Sequence, residues 1–243
     1  ILSRVSPYGR FNITPSNRVG LTISAFTGYE YESFLQRWEM NPYIAHDAPL
    51  YPEEVTWGAT VEANVEMFPG LNLLGSIGQT SYENAFYWQH DSATGFFGIG
   101  EVNDVEVVNL DVGAHFTPTN WLTMKASFET YVASFSSEDT LLSDRNYFPF
   151  RPRARIPAEV NITLPWDLQF NVEGELIGKR RISFASSDNL PVIGLLNAGL
   201  TKDFGEHITV TLDAVNILDD TYEYWLDYPE PGTQIYLGLR AKF

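Results

Sequence analysis

Apolar and polar residues alternate with a period of two along almost the whole chain. Between positions 55 and 67, Val55, Trp57, Ala59, Val61, Ala63, Val65 and Met67 interleave with Thr56, Gly58, Thr60, Glu62, Asn64 and Glu66. The same pattern runs through 108–116, 122–128, 158–164, 168–176 and 208–214. Successive side chains of a strand point to opposite faces, so each segment predicts a strand with one apolar and one polar face. The chain closes on YLGLRAKF, where Leu237, Leu239, Ala241 and Phe243 share one face and Tyr236, Gly238, Arg240 and Lys242 the other. No segment carries a convincing apolar stripe at helical spacing.

A soluble β-sandwich alternates in the same way. Two further features point to a membrane barrel instead. The runs reach about nine to eleven residues, the length of a tilted membrane strand rather than the roughly five or six of a typical soluble one. The connections also alternate in length. TPSN (14–17), FPG (68–70), TPTN (117–120), LPWD (164–167) and FGEH (204–207) hold the Pro, Gly, Asn and Asp of tight turns. Longer loops fall between them, near 33–54, 91–101, 134–154, 182–190 and 219–232. Short turns on one side and long loops on the other describe an outer-membrane barrel, whose ladder satisfies backbone groups that lipid cannot. Trp57, Trp121, Trp166, Phe116, Phe204 and Phe243 fall near strand ends, where a girdle of rings meets the headgroups.

Composition narrows the function classes. The 243 residues carry 15 Lys and Arg against 31 Asp and Glu, a net charge of -16, which argues against nucleic acid as partner. The chain has no cysteine, hence neither a disulfide framework nor a thiolate metal site. ILSRVSPYGR at the start lacks the apolar run and cleavage site of a secretory signal. No stretch approaches the roughly 18 apolar residues of a membrane helix, but membrane strands leave a much weaker hydropathy trace.

VNILDDTY (215–222), YPEPG (228–232) and a last strand ending on Phe243 resemble the C-terminus of TonB-dependent outer-membrane receptors. Asn216, Asp219, Tyr222, Pro231, Gly232 and Phe243 fill that family's recurrent places, while Thr233 stands where the family often has Arg. PYGRFNITPSNRVGLTISAFTGY, LYPEEVTWGATVEANV and IPAEVNITLPW are similar to its barrel strands. The resemblance implies an all-β, antiparallel, up-and-down transmembrane β-barrel. About eleven strands are expected here, the C-terminal part of a barrel of about twenty-two. It implies a periplasmic C-terminus, with the tight turns periplasmic and the long loops extracellular. The first strand then also descends, and an odd count with termini on opposite sides marks a fragment. The family's plug domain and TonB-contacting segment have no counterpart in this sequence. For the motif residues the expected roles are architectural: a special backbone angle at Gly232, stiffness at Pro231, and turn hydrogen bonds from Asn216 and Asp219.

Candidate chemistry is sparse. His46–Asp47 and His90–Asp91 fall in predicted outer loops, His115 shares a lumen face with Asp111, and His207 sits in a turn. None comes with a nucleophile motif, and Glu173 and Glu175 on one face read as lumen wall rather than a catalytic carboxylate pair. No enzyme activity, metal or cofactor is expected. On the lumen face Glu62, Glu66, Asp111, Glu129, Glu159, Glu173, Glu175 and Asp213 outweigh Lys125, Arg240 and Lys242, a wall suited to cations or to basic groups of a plug. RPRAR (151–155) and GKRR (178–181) are the dense basic runs, and a rim position would set them against anionic outer-leaflet lipid or in solvated loops. Loop aromatics Trp38, Tyr43, Trp88, Tyr147, Tyr224 and Trp225 are the candidate ligand contacts. The expected function is ligand-gated uptake of a scarce nutrient such as an iron chelate, cobalamin or oligosaccharide. Its expected partners are outer-membrane lipid, a plug and a TonB-type energy-transducing protein. The alternative is a barrel with a structural or docking role among other envelope proteins.

Overall fold

The computed structural model describes residues 5–30, 53–91, 96–135, 147–184 and 187–242. Every regular element in them is a strand: β1 (Tyr8–Ser16), β2 (Val19–Glu30), β3 (Glu53–Phe68), β4 (Leu71–Glu83), β5 (Ala85–Asp91), β6 (Phe96–Val102), β7 (Val105–Thr119), β8 (Leu122–Phe135) and β9 (Ala154–Leu164). After these come β10 (Leu168–Ile177), β11 (Arg180–Arg181), β12 (Asn189–Leu190), β13 (Ile193–Phe204), β14 (Ile208–Val215), β15 (Glu223–Trp225), β16 (Tyr228–Pro229) and β17 (Gln234–Ala241). Eleven of them form one antiparallel sheet in the order β1-β2-β3-β4-β7-β8-β9-β10-β13-β14-β17, with β1 and β17 at its two ends. That is the predicted ladder, in chain order and without a β1–β17 join. The other six make three small hairpins, β5–β6, β11–β12 and β15–β16.

All five tight turns lie at one end of the sheet. The expected TPSN turn falls slightly later, at Asn17 and Arg18, because Thr14 to Ser16 extend β1. Pro69–Gly70 joins β3 to β4, and Gly70 is needed there: its φ is +91° and a Cβ would run into the Thr117 carbonyl. Trp166 and Asp167 take φ of 64° and 57° between β9 and β10. At the opposite end, here called the mouth, the connections hold more structure than the sequence reading foresaw. Most of the loop expected near 91–101 is strand β6, paired with β5, and β15–β16 lies within 219–232. Asn84 (φ 57°) and Asp104 (φ 53°) flank the β5–β6 hairpin, where the chain leaves β4 and enters β7. Both are residue types that tolerate the left-handed region.

Register sorts the two faces. Ile23, Val61, Ile77 and Leu110 are paired neighbours across β2, β3, β4 and β7, and all point outward, 40–53% exposed. One residue along, Thr22, Glu62, Ser76, Asp111 and Glu129 form the matching inward row. On β17, Leu237 and Leu239 stand 78% and 74% exposed. Apolar area of this extent suits contact with lipid rather than water. Phe68, Phe116, Trp121, Trp166 and Phe204 crowd the turn end, where Phe68 meets Phe116 edge-to-face at 6.1 Å, and Trp57 lies towards the mouth. Phe243, the remaining expected girdle residue, lies outside the described residues.

The inward face is not polar throughout. Near the mouth Val105 and Val107 of β7 and Ala133 of β8 are at most 1% exposed, packed with Ala85, Phe148 and Phe184. The dry core of the described residues therefore sits at the mouth. There the inserted hairpin and the 147–150 segment fold onto the sheet and exclude water.

Candidate functional site

The sheet curves around a cavity of about 1020 Å³, lined by residues from Asn12 on β1 to Asn197 on β13. Its wall carries the acidic row. Ser76 Oγ donates to Asp111 Oδ2 at 2.9 Å, Arg10 meets Glu62 at 3.7 Å, and Lys125 meets Glu159 at 3.1 Å. Arg155 reaches Glu129 at 3.8 Å and donates Nε to Glu175 Oε1. Glu175 is thus tied to a cation and does not form a free carboxylate pair with Glu173. These pairs are a third or more exposed on at least one side, so they shape the wall more than they stabilise it.

Four arginines of the basic runs, Arg151, Arg153, Arg155 and Arg180, do not face outward. Arg151 Nη2 donates to Asn109 Oδ1 at 3.3 Å and its guanidinium lies 4.0 Å from the Tyr131 ring, both inward-facing positions. Arg153 stands 4.0 Å from the Tyr147 ring, Arg155 reaches into the wall, and Arg180 is 1% exposed. Strand alternation explains the outcome: residues 151, 153 and 155 fall on one side of the chain entering β9, and that side is the interior.

At the mouth a second cavity, of about 430 Å³, is walled by Tyr82, Phe86, Trp88, Phe150, Arg151 and Trp225 among others. Two predicted contacts meet here, Trp88 against Trp225 at 5.3 Å and 74°. Phe150 lies 5.0 Å from the same Trp225 ring. Tyr147 is drawn elsewhere, edge-on to Tyr131 at 5.7 Å, and Tyr224 packs edge-on to Tyr222 at 5.3 Å. Trp38 and Tyr43 lie outside the described residues. Sequence reading missed Phe86 and Phe150 and placed Arg151 and Arg180 in basic runs at the rim. Burial raises the phenol pKa of Tyr222 and Tyr224, the carboxylates of Glu175 and Glu230 adding to it.

The C-terminal motif residues form a knot between the ends of β14 and β17. Asn216, 1% exposed and at φ 52°, donates Nδ2 to the carbonyls of Asp220 (2.9 Å) and Pro231 (3.3 Å) and accepts from the Asp220 N–H on Oδ1 (3.3 Å). Thr233 donates its N–H to Asp219 Oδ1 at 2.9 Å and its hydroxyl to the Asn216 carbonyl at 2.8 Å. Gly232 does not take the special angle expected of it. Its φ lies outside the left-handed region, and a Cβ would run into Asp219 Oδ1. Close approach of the Asp219 carboxylate is what the position requires.

No protein-family model and no curated protein matches the sequence. Solved structures do. The chain aligns with the copper transporter OprC at a TM-score of 0.72 and 12% identity, over 98% of this chain and 39% of that one. It aligns with the FrpB iron transporter from Neisseria meningitidis at 0.69 and 15% (98% and 39%), and with the ferric enterobactin receptor PfeA from Pseudomonas aeruginosa at 0.71 and 15% (98% and 40%). The chain has the barrel fold of TonB-dependent outer-membrane receptors. It spans about two fifths of the length of these structures.

Of the four histidines, three lie among the described residues. His115 contacts the Thr117 hydroxyl through Nε2 at 3.3 Å, and the His207 carbonyl accepts the Lys242 N–H at 2.9 Å. His90 pairs with Phe97 in the β5–β6 ladder, and His46 lies outside the described residues. Among the described residues no group of three His, Asp or Glu side chains is arranged to hold a metal ion. The solved structures that share the fold are named as transporters and receptors.

Proposed function

We propose that the chain is the C-terminal part of a plugged outer-membrane receptor barrel of about twenty-two strands that imports a scarce nutrient. The observation that carries this reading is the uncrossed eleven-strand sheet with free outer strands, an apolar outside and an acidic inside. In it the tight turns and the C-terminus face the periplasm and the mouth faces outward. The mouth cavity, with Trp88 and Trp225 among its walls, takes the ligand. Trp38, Tyr43, Tyr147 and Tyr224 are further candidate contacts. A plug outside these 243 residues meets the acidic wall, and a TonB-type protein drives its opening. OprC, FrpB and PfeA, named for copper, iron and ferric enterobactin, support a metal or metal chelate as cargo.

The test uses the full-length protein in intact cells. Uptake of labelled ferric chelates, copper, cobalamin and oligosaccharides is measured with and without the energy-transducing protein. Energised uptake of one of them is expected. A full-length barrel that binds other envelope proteins and imports nothing would replace this reading with a docking role.

A further inference from the structure

Lys202 puts a cation on the apolar outside of the sheet, close to the tight turns. By register it stands in one outward row with Leu168, Val210 and Leu239. The next row towards the mouth, Phe170, Leu200, Leu212 and Leu237, is wholly apolar. Its neighbour Asp203 points the other way and accepts the Thr209 hydroxyl at 2.7 Å. Lys202 forms no salt bridge among the described residues, although Asp167 and Glu206 lie in the adjoining turns. On a lipid face a lysine is costly towards the midplane and tolerated near the interface, so its stem bends to carry the ammonium to the headgroups. That direction is the one observed. Nζ lies 5.5 Å from the ring of Phe204, which is two residues nearer the turn end and 56% exposed.

The turn beside it supplies a second group. Trp166 is 82% exposed, and its φ of 64° is one that a bulky residue adopts only under constraint. The constraint is a hydrogen bond from the Asp203 N–H to the Asp167 carbonyl at 3.3 Å, which ties this turn to β13 one residue from Lys202. An indole joins an apolar body to one N–H donor, a combination suited to the level where acyl chains meet ester and phosphate oxygens. The chain as a whole repels anions, with a net charge of -16, so an anion held here needs a local cation and an apolar anchor together.

We propose that this corner of the wall binds one anionic phospholipid of the leaflet at the turn end. Its phosphate rests on Lys202 Nζ, its glycerol region lies beside Phe204 and Trp166, and its acyl chains run along Leu200 and Leu212. An ammonium serves phosphate as a compact point charge, and the apolar rows take the chains. A soluble phosphate would use the cation and leave the apolar rows idle, so a lipid is the occupant that fits both. The site rests on the outward face being the lipid face and is independent of what enters the mouth.

The test adds lipid to the full-length protein in detergent and follows binding by native mass spectrometry. Dioleoylphosphatidylglycerol is expected to bind about fivefold more tightly than dioleoylphosphatidylcholine, the preference that one lysine supplies at an anionic surface. Lys202→Gln is expected to abolish that preference, Lys202→Arg to keep most of it, and Trp166→Ala to reduce it. Lys202→Met, apolar and at home against lipid, is a second neutral variant in case Lys202→Gln does not fold. Arg18→Gln removes an exposed cation from the β1–β2 turn at the same end and is expected to change nothing. An equal loss in Arg18→Gln would mean that overall charge, not this site, selects the lipid, and would overturn the proposal. Glycerol 3-phosphate is expected not to compete, and full competition would replace the lipid by a soluble phosphate. Equal binding of the two lipids would sink the site and leave the outward face against lipid. Binding of neither would overturn the site and the lipid face together.

Discussion

Replacing Val112 by Arg tests the orientation of the whole sheet. The outward stripe of β7 runs Val108, Leu110, Val112, Ala114 and Phe116, and Glu106 ends it at the mouth. The eight residue steps from Val108 to Phe116 cover roughly 27 Å at about 3.4 Å each. At a strand tilt of about 40° this is roughly 21 Å along the membrane normal, close to the apolar band of about 25 Å of outer-membrane barrels. Val112 is the midpoint of the stripe and is 52% exposed. Arg there is expected to cost about 2–4 kcal/mol, whereas Val108→Arg, near the interface, is expected to cost about 0–1 kcal/mol. The midplane cost amounts to a factor of roughly 30 to 700 in the folding equilibrium. Ser127→Arg, on the inward face of β8 beside Glu129, is the control and is expected to cost less than about 1 kcal/mol. Reversible denaturant unfolding of the full-length protein in lipid vesicles measures all three. If Arg costs the same at 108 and 112, or as much at 127 as at 112, the lipid assignment of this face is wrong.

Further outcomes follow from the mouth and the knot. Asn216→Ala removes three buried hydrogen bonds and puts Ala at a left-handed φ, an expected loss of about 2–4 kcal/mol, with Asn216→Gly smaller; denaturant midpoints would show the order. Gly232→Ala is expected to destabilise through Asp219, so a double-mutant cycle with Asp219→Ala should be clearly non-additive, and additive losses would refute the close-approach reading. Residues 1–243 expressed alone are expected to give no heat-resistant monomer in detergent, because the outer strands β1 and β17 leave unpaired edges. Tyr222 and Tyr224 hold their protons more tightly folded than unfolded, so their contribution to stability is complete below the unfolded pKa of about 10 and is lost as pH rises through the higher folded values. Tyr224→Phe is expected to remove a late-titrating phenol from the alkaline absorbance curve.

What the sequence disclosed depended on whether a face met lipid. Val61 and Glu62 sit back to back on a wall with an apolar exposed face on one side and the cavity on the other, so strict alternation reports the strand, its register and its faces. The eleven strands and their uncrossed order were legible for that reason. Where the chain leaves the bilayer the constraint lapses. AFYWQHD at 85–91 is as rich in β-formers as any wall strand, yet after the left-handed turn at Asn84 it pairs with β6 instead of joining the main sheet. RPRAR invited a lipid reading because charge alone does not say which side of a strand it takes. Trp88 and Trp225, 137 residues apart in sequence, meet only because two hairpins fold over one mouth. Nothing local encodes that meeting, and Arg180 gave no hint of its burial.

The Asn216–Asp219–Thr233 knot has a consequence for how the outer surface can change. It fastens the chain where it leaves β14 and again where it rejoins β17. Residues 221–229 therefore hang from a closed clasp, and the last hairpin keeps its alignment whatever hangs there. Such a segment is an exchangeable cassette: new recognition sequence can be grafted into it, lengthened or replaced, while the terminal strand stays seated.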